Sequence, residues 1–379
     1  MKRRLLPLIC FLFAIAPAHE ASATTLSAQP GIVLVEPIFT EAPHAQCHAS
    51  TIVETKTGLV AAWFGGTKEG NPDVGIWLSR HLDGKWTPPV EVANGAETEE
   101  PRANCLNPVL FQIPDGPLLL FYRTDKWWPY VKRSMDNGAT WSAPERLYNG
   151  NFGPIKNKPV LLPDGSILSP SSTEFQGWPA PGATGWDARM WRVQFERLPV
   201  TGNRAKIKAT QWQVIGPVND GAIDAIQPSI LIHPNNRLQA IGRTAQGKIF
   251  QIWSDDGGRT WGEMTLTDLP NPNCGTDAAT LKDGRHLLVY NHAAQRPEGK
   301  NGPRSPLNVA ISNDGTNWQA VLVLENEPNR EFSYPAIIQT SDGLVHIAYT
   351  YRRQHIRHVV IDPAKLIARP MSDGKWPNE

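Results

Sequence analysis

Ser134-Met-Asp136-Asn-Gly138-Ala-Thr-Trp141 and Ser254-Asp-Asp256-Gly-Gly258-Arg-Thr-Trp261 are one eight-residue turn written twice. In such a turn the aspartate accepts backbone N–H groups, the glycine supplies a positive φ, and the tryptophan packs on the hairpin that the turn closes. An aspartate consumed by its own turn is not available as a catalyst, so the motif speaks for architecture. Ser312-Asn-Asp314-Gly315-Thr-Asn-Trp318 is the same turn one residue shorter, and Ser79 to Trp86 is a worn copy ending Asp83-Gly84-Lys85-Trp86.

Outward from these turns the chain repeats a second unit: an apolar run, a short turn rich in Gly, Asp or Asn, and another apolar run. Six instances are present, at Ser50–Phe64, Pro108–Tyr122, Pro159–Pro170, Pro228–Arg243, Asp277–Tyr290 and Tyr334–Tyr349. Their turns, such as Pro114-Asp115-Gly116 and Lys282-Asp283-Gly284, tolerate the positive φ of tight hairpins. Each hairpin is followed by a third strand and, in most repeats, by the turn quoted above. The pattern predicts an all-β, six-bladed β-propeller. The sixth repeat ends at Arg357–Ile361 with no room for a fourth strand, while an orphan strand, Gly31–Thr40, precedes the first. Donation of that N-terminal strand to the last blade closes the ring and removes the open edge.

Composition agrees with an all-β chain of many tight turns: Pro (34), Gly (31) and Trp (14) are abundant without low complexity. Lys and Arg (37) balance Asp and Glu (36), which speaks against a charge-driven grip on nucleic acid or an anionic membrane. Residues 1–23 read as a signal peptide, with Lys2, Arg3 and Arg4, an apolar run from Leu5 to Ala16, and a cleavage site at Ala21-Ser22-Ala23. The expectation is a secreted or periplasmic protein with no membrane anchor, monomeric, with one propeller domain over 24–379. Cys47, Cys105 and Cys274 remain after export. An odd count leaves at least one unpaired, and whether Cys47 and Cys105 join is open. No zinc spacing or calcium loop is apparent, so no cofactor is expected.

The Ser-x-Asp-x-Gly-x-x-Trp turns resemble the Asp boxes of sialidases, over nearly all of the chain after residue 23. Stretches such as His48-Ala-Ser-Thr-Ile52, Trp63-Phe-Gly-Gly-Thr-Lys-Glu-Gly70 and Ser305-Pro-Leu-Asn-Val309 resemble the BNR-repeat-like predicted neuraminidases in particular. In that superfamily three arginines on the propeller axis hold a substrate carboxylate, a Tyr–Glu pair is the nucleophile, and an Asp is acid and base. The resemblance assigns the second arginine to Arg243, the third to Arg304 and the tyrosine to Tyr334. Three positions depart from the pattern. Cys47-His48 stand where the first arginine would be, Phe64-Gly65-Gly66-Thr67 where the acid would follow, and Gln227 replaces the glutamate. Glu69 and Asp73, in the next loop, are the candidates for the missing acid.

These residues support a sialidase-like exo-glycosidase acting on a terminal acidic sugar, because a guanidinium fork matches a carboxylate. Two alternatives stay open. One is a lyase or a different glycosidase for uronate glycans, in which Arg243 and Arg304 neutralise the carboxylate, His48 removes a proton and Tyr334 protonates the leaving group. The other is a non-catalytic glycan-binding propeller. Asn107, Lys156, Asn157, Lys158, Asp277, Asn291 and Tyr351-Arg352-Arg353 add polar groups expected at the same axial mouth. The loop Glu174–Asp187, with Trp178 and Trp186, reads either as a stacking platform over that mouth or as a packed insertion.

Overall fold

Leu118-Leu-Leu-Phe-Tyr-Arg-Thr124 is buried at every position, and so is Val345-His-Ile-Ala-Tyr-Thr-Tyr351. A strand covered on one face alternates between buried and exposed residues, whereas a strand sandwiched between two sheets is covered on both. These are the middle strands of blades, each packed between its neighbours. The computed structural model describes residues 26–124, 127–147, 150–174, 191–199, 212–296 and 302–377. Residues 1–23, read from the sequence as a signal peptide, and all but the first residue of the loop 174–187 lie outside them.

The described strands form six antiparallel sheets. Blade one is built from Gln46–Thr55, Gly58–Gly66 and Gly75–Leu82, with short outer strands Lys85–Trp86 and Val90–Ala93. Blade two holds Cys105–Gln112, Leu118–Thr124, Pro129–Ser134 and Glu145–Arg146; blade three holds Val160–Leu161, Ile167–Thr173, Arg192–Leu198 and Gln213–Ile215. Blade four runs Ala225–Ile232, Leu238–Thr244, Lys248–Ser254 and Thr265–Pro270, and blade five runs Asp277–Thr280, His286–Tyr290, Leu307–Ser312 and Trp318–Glu325, with Arg369–Pro370 added outside. Blade six is Phe332–Gln339, Val345–Tyr351 and His355–Ile361, completed by Ile32–Pro37 from the other end of the chain. The six-bladed propeller and its N-terminal closure are therefore as the repeats predict.

The inner strands of four blades start earlier than predicted. The repeats placed their starts at Ser50, Pro108, Pro228 and Tyr334, and at or beside three of these stands a proline, which has no ladder donor. The strands instead run through these residues by a bulge, with the pairing register shifting at His48/Thr51, Leu106/Val109, Ile226/Ser229 and Ser333/Ala336. A bulge leaves one residue out of the ladder, so the missing N–H costs nothing there.

The quoted turns do their work between blades as well as within them. Asp136 accepts from the Thr140 amide (2.8 Å) and hydroxyl (2.6 Å), and Asp256 accepts from the same groups of Thr260 at 2.9 and 2.7 Å. The hydrogen bonds from Thr140 hold the Asp136 carboxyl down at about 2, so it stays ionised. Trp261 of blade four stacks on Phe195 of blade three, with centroids 3.9 Å apart and planes 11° from parallel. Gly258 has φ +82°, and a Cβ there would lie 2.7 Å from Leu168 of blade three. The motif thus cements neighbouring sheets. Cys47, Cys105 and Cys274 are all buried free thiols, which answers the open question of a Cys47–Cys105 bridge in the negative.

The closing strand is held by more than its ladder. Glu36 accepts from Trp86 Nε1 of blade one (2.9 Å) and from His358 Nδ1 of blade six (2.9 Å), and His358 Nε2 meets His346 Nδ1 at 2.9 Å. Removing Glu36 strands two buried or half-buried donors. We expect Glu36→Ala to cost about 1–3 kcal/mol, read as a lower denaturant midpoint with an unchanged slope.

Candidate active site at the axial mouth

Each of the four bulges seats one residue in the left-handed region: Ala49 (φ 55°), Asn107 (48°), Gln227 (56°) and Tyr334 (51°). A positive φ is uncommon for bulky residues and persists only where surrounding structure over-determines it. At Tyr334 that conformation brings the phenol into contact with four basic side chains. Arg243 Nη1 donates to the phenol oxygen at 3.1 Å, and the guanidinium carbons of Arg243 and Arg304 lie 5.8 and 5.5 Å from the ring centre. Lys156 Nζ lies 5.9 Å from the same centre, and the His48 ring packs against it at 4.3 Å. Tyr334 is 7% exposed and Arg243 is 2% exposed, so these contacts form away from bulk water.

His48 is neutral. Burial pushes its imidazole well below the usual range, and Arg353, Arg304, Lys156 and Arg243 push it in the same direction. Its Nδ1 meets Thr350 Oγ1 at 3.0 Å, and its Nε2 faces Arg304 Nη1 at 3.4 Å. A guanidinium only donates, so Nε2 carries the lone pair and Nδ1 the proton.

The carboxylate that organises this side of the mouth is Glu331, which the sequence reading passed over. It accepts from Arg304 Nη1 (2.5 Å), Arg353 Nε (2.9 Å) and Ser333 Oγ (2.9 Å). Burial opposes its ionisation, but Arg304 and Arg353 outweigh that and hold its carboxyl below the usual range. Glu331 lies three residues before Tyr334, and two converging arginines call for an acid between them; that requirement is the signal that could have found it. Arg353 also donates to Glu69 Oε2 at 2.6 Å. It stands beside blade one, its carbonyl accepting from the Cys47 amide at 2.9 Å. A third guanidinium therefore reaches the mouth from blade six.

The remaining predicted residues have other duties. Asp73 accepts from the Thr67 amide (2.8 Å) and hydroxyl (2.9 Å) within an exposed loop. Burial is slight and Thr67 holds its carboxyl low, which suits a loop brace better than a proton donor. Asp277 and Lys158 form a cross-brace: Asp277 takes Lys158 Nζ and the Ile337 amide on one oxygen and Ser229 Oγ on the other, all at 2.9 Å. Lys156 gives its three protons to Asn157 Oδ1, Thr276 O and Pro335 O at 2.9, 2.6 and 2.5 Å, and burial lowers its ammonium to about 7. Asn291 donates to the Pro306 and Phe332 carbonyls. Asn107 is half-buried on the blade-two bulge. Gln227 engages neighbours through its backbone, to Ser172 and Asn157, while its side-chain Oε1 is buried without a hydrogen-bond partner. Among the described residues no group of three or more His, Cys, Asp or Glu side chains is placed to hold a metal ion.

The family model for the BNR repeat-like domain matches residues 57–347, well over half of the chain. The protein belongs to the BNR repeat-like family. No curated protein matches it. Among solved structures, this BNR repeat-like chain resembles a protein of unknown function from Dyadobacter fermentans, with TM-score 0.66 and 18% identity over 88% of this chain and 99% of that one. It also resembles a Hadza microbial sialidase, with TM-score 0.69 and 14% identity over 88% of this chain and 69% of that one. A third likeness is to the intramolecular trans-sialidase of Ruminococcus gnavus, solved with oseltamivir carboxylate, at TM-score 0.62 and 12% identity over 87% and 98%. At such identities the likeness shows a sialidase-like fold.

Gly275 makes the close approach of Lys156 and Tyr334 feasible. A Cβ there would stand 3.0 Å from Lys156 Cε and 3.3 Å from Tyr334 Cδ2 and Cε2. We expect Gly275→Ala to displace the Tyr334 ring at a cost of about 1–3 kcal/mol. A crystal structure of the folded variant would show the Arg243–Tyr334 hydrogen bond lengthened or lost.

Proposed function

We propose that this propeller is an exo-glycosidase for a terminal acidic sugar, sialic acid or a close relative, bound at the axial mouth. The observation that carries the reading is the hydrogen bond from Arg243 to the Tyr334 phenol, with Arg304 on the same ring. A phenol becomes a competent nucleophile only as it sheds its proton. The two guanidinium groups stabilise the charge that develops on its oxygen, in a site where burial strengthens each interaction. The same cations receive the sugar carboxylate. Arg243, Arg304 and Lys156 gather on the Tyr334 ring, and Arg304 and Arg353 share Glu331, an arrangement of guanidinium groups that suits an anionic ligand. Tyr334 attacks the anomeric carbon as the bond to the leaving oxygen breaks, its phenol proton passing to the neutral His48 ring packed on it, and water then hydrolyses the glycosyl-tyrosine, an accepted departure from the two-carboxylate scheme. Of the two loop acids Glu69 is assigned to that oxygen, because it meets Arg353 of the cluster whereas Asp73 braces Thr67 within its own loop. Export through residues 1–23, and a monomer meeting an acidic glycan outside the cytoplasm, complete the proposal.

A second reading, elimination on a uronate glycan, is favoured by His48. Its neutral ring carries on Nε2 the lone pair of a base, and it packs on Tyr334, which would hand its proton to the leaving oxygen. Incubation with sialosides and with uronate glycans separates the readings. Release of free sialic acid, reduced by about a thousandfold or more in Tyr334→Phe, is the expected result. Ultraviolet absorbance from an unsaturated uronate that vanishes in His48→Ala would instead establish the lyase, and turnover of neither panel would leave a binding protein.

A further inference from the structure

Arg243 has a topological twin. In blade four Ile226 faces Arg243 just before the ladder shifts, and in blade two Leu106 faces Arg123 just before the same shift. Both arginines are at most 2% exposed. Between their blades lies blade three, and Glu174, the residue after its strand Ile167–Thr173, is 1% exposed. Glu174 is two residues beyond Ser172, whose hydroxyl accepts the Gln227 amide at 3.2 Å, which puts it beside the Arg243 hairpin. Its Oε2 is buried without a hydrogen-bond partner. A charged carboxylate in that condition is costly, and a protonated one far less so. Burial accordingly pushes the Glu174 carboxyl up to about 7, although Arg243 and Arg123 pull the other way.

Among the described residues, Lys156 also acts on Arg243 and, lowered by burial to about 7, titrates over the same range. From blade two Arg123 acts on Glu174, and Arg123 is itself shared with Glu196 on Glu174's own blade. Glu196 is occupied by the Phe152 and Gly153 amides and by Gln194. From blade four comes Arg243. The carboxylates Glu331, Glu69 and Asp73 are each tied to cations or amides, as described above, whereas Glu174 Oε2 is buried without a hydrogen-bond partner.

We propose that Glu174 is a proton-linked counter-ion of Arg243: when an acidic sugar brings its carboxylate to Arg243, Glu174 gives up its negative charge by taking a proton from solvent. This rests on the reading that Arg243 receives the substrate carboxylate. Glu174 acts through Arg243 and is a positioning residue. Two anions cannot both draw on the same buried guanidinium without repelling each other. Ligand binding therefore raises the proton affinity of Glu174, and by linkage protonation of Glu174 raises ligand affinity by the same factor. The sign follows directly: affinity for an acidic sugar is greatest where Glu174 is protonated and falls as pH rises through its titration.

Calorimetric titration of the whole protein with N-acetylneuraminic acid and with glucuronate, between about pH 5.5 and 8.5, tests this, since both ligands stay ionised throughout. Affinity for the ligand that binds should fall on the order of tenfold across the range. Paired buffers of different ionisation enthalpy should reveal proton uptake in the wild-type protein, a readout that needs no variant to fold. Glu174→Gln should show less proton uptake and a shallower pH dependence than the wild-type protein, the remainder belonging to Lys156. Flat wild-type affinity with no uptake would overturn the proposal, as would uptake and pH dependence undiminished in Glu174→Gln. Failure of the underlying reading looks different: neither ligand binds at any pH, or binding is indifferent to Arg243→Met.

Discussion

A ring of sheets holds together only if its last edge finds a partner, and here that partner is the strand Ile32–Pro37 paired along His355–Ile361. Everything at the mouth depends on this closure. His48 comes from blade one, Arg243 from four, the Arg304 segment from five, and Tyr334 and Arg353 from six. An open ring would part blade one from blade six, and with them His48 from Thr350 and Cys47 from Arg353. The buried Glu36–His358–His346 chain at the seam reinforces the ladder by polar contacts that cannot re-form in a slipped register.

Within the closed ring the site is a problem of crowded positive charge. Arginines and a lysine gather round one phenol, and the molecule tolerates this by three means. Glu331 neutralises two guanidinium groups at once. Lys156 spends its protons on carbonyl oxygens and Asn157 and is depressed by burial. His48 adds no charge at all. What is left over is a field suited to an anion, aimed at a tyrosine.

The fold was legible in the sequence because its signals are local. The Asp-Gly turns and the paired apolar runs recur within a few residues, and a missing last strand next to an orphan first one has a single economical solution. Tyr334, Arg243 and Arg304 were legible through resemblance, and the chain does bring them together. The rest was hidden for physical reasons. The bulges, where proline is welcome because a residue leaves the ladder, carry four inner strands past the starts that the apolar runs suggest. The Arg304–His48 contact joins residues 256 positions apart, a separation that no local pattern encodes. Lys158 and Asp277 look like recognition residues in one dimension and prove to be a brace, because only the folded ring puts Ser229 and Ile337 beside them. Glu174 looked like the first residue of a loop, and its interest arises from burial alone.

The four bulges also say something about how such a molecule can change. A residue set outside the ladder in the left-handed region contributes little to the pairing that holds its sheet, so its identity is weakly tied to the blade's own integrity. Ala49, Asn107, Gln227 and Tyr334 occupy equivalent sockets, yet they differ from one another as much as side chains can. Substitution in these sockets can alter the side chains gathered at the ring's centre while the scaffold stays fixed, which gives the propeller a way to diverge in chemistry faster than in shape.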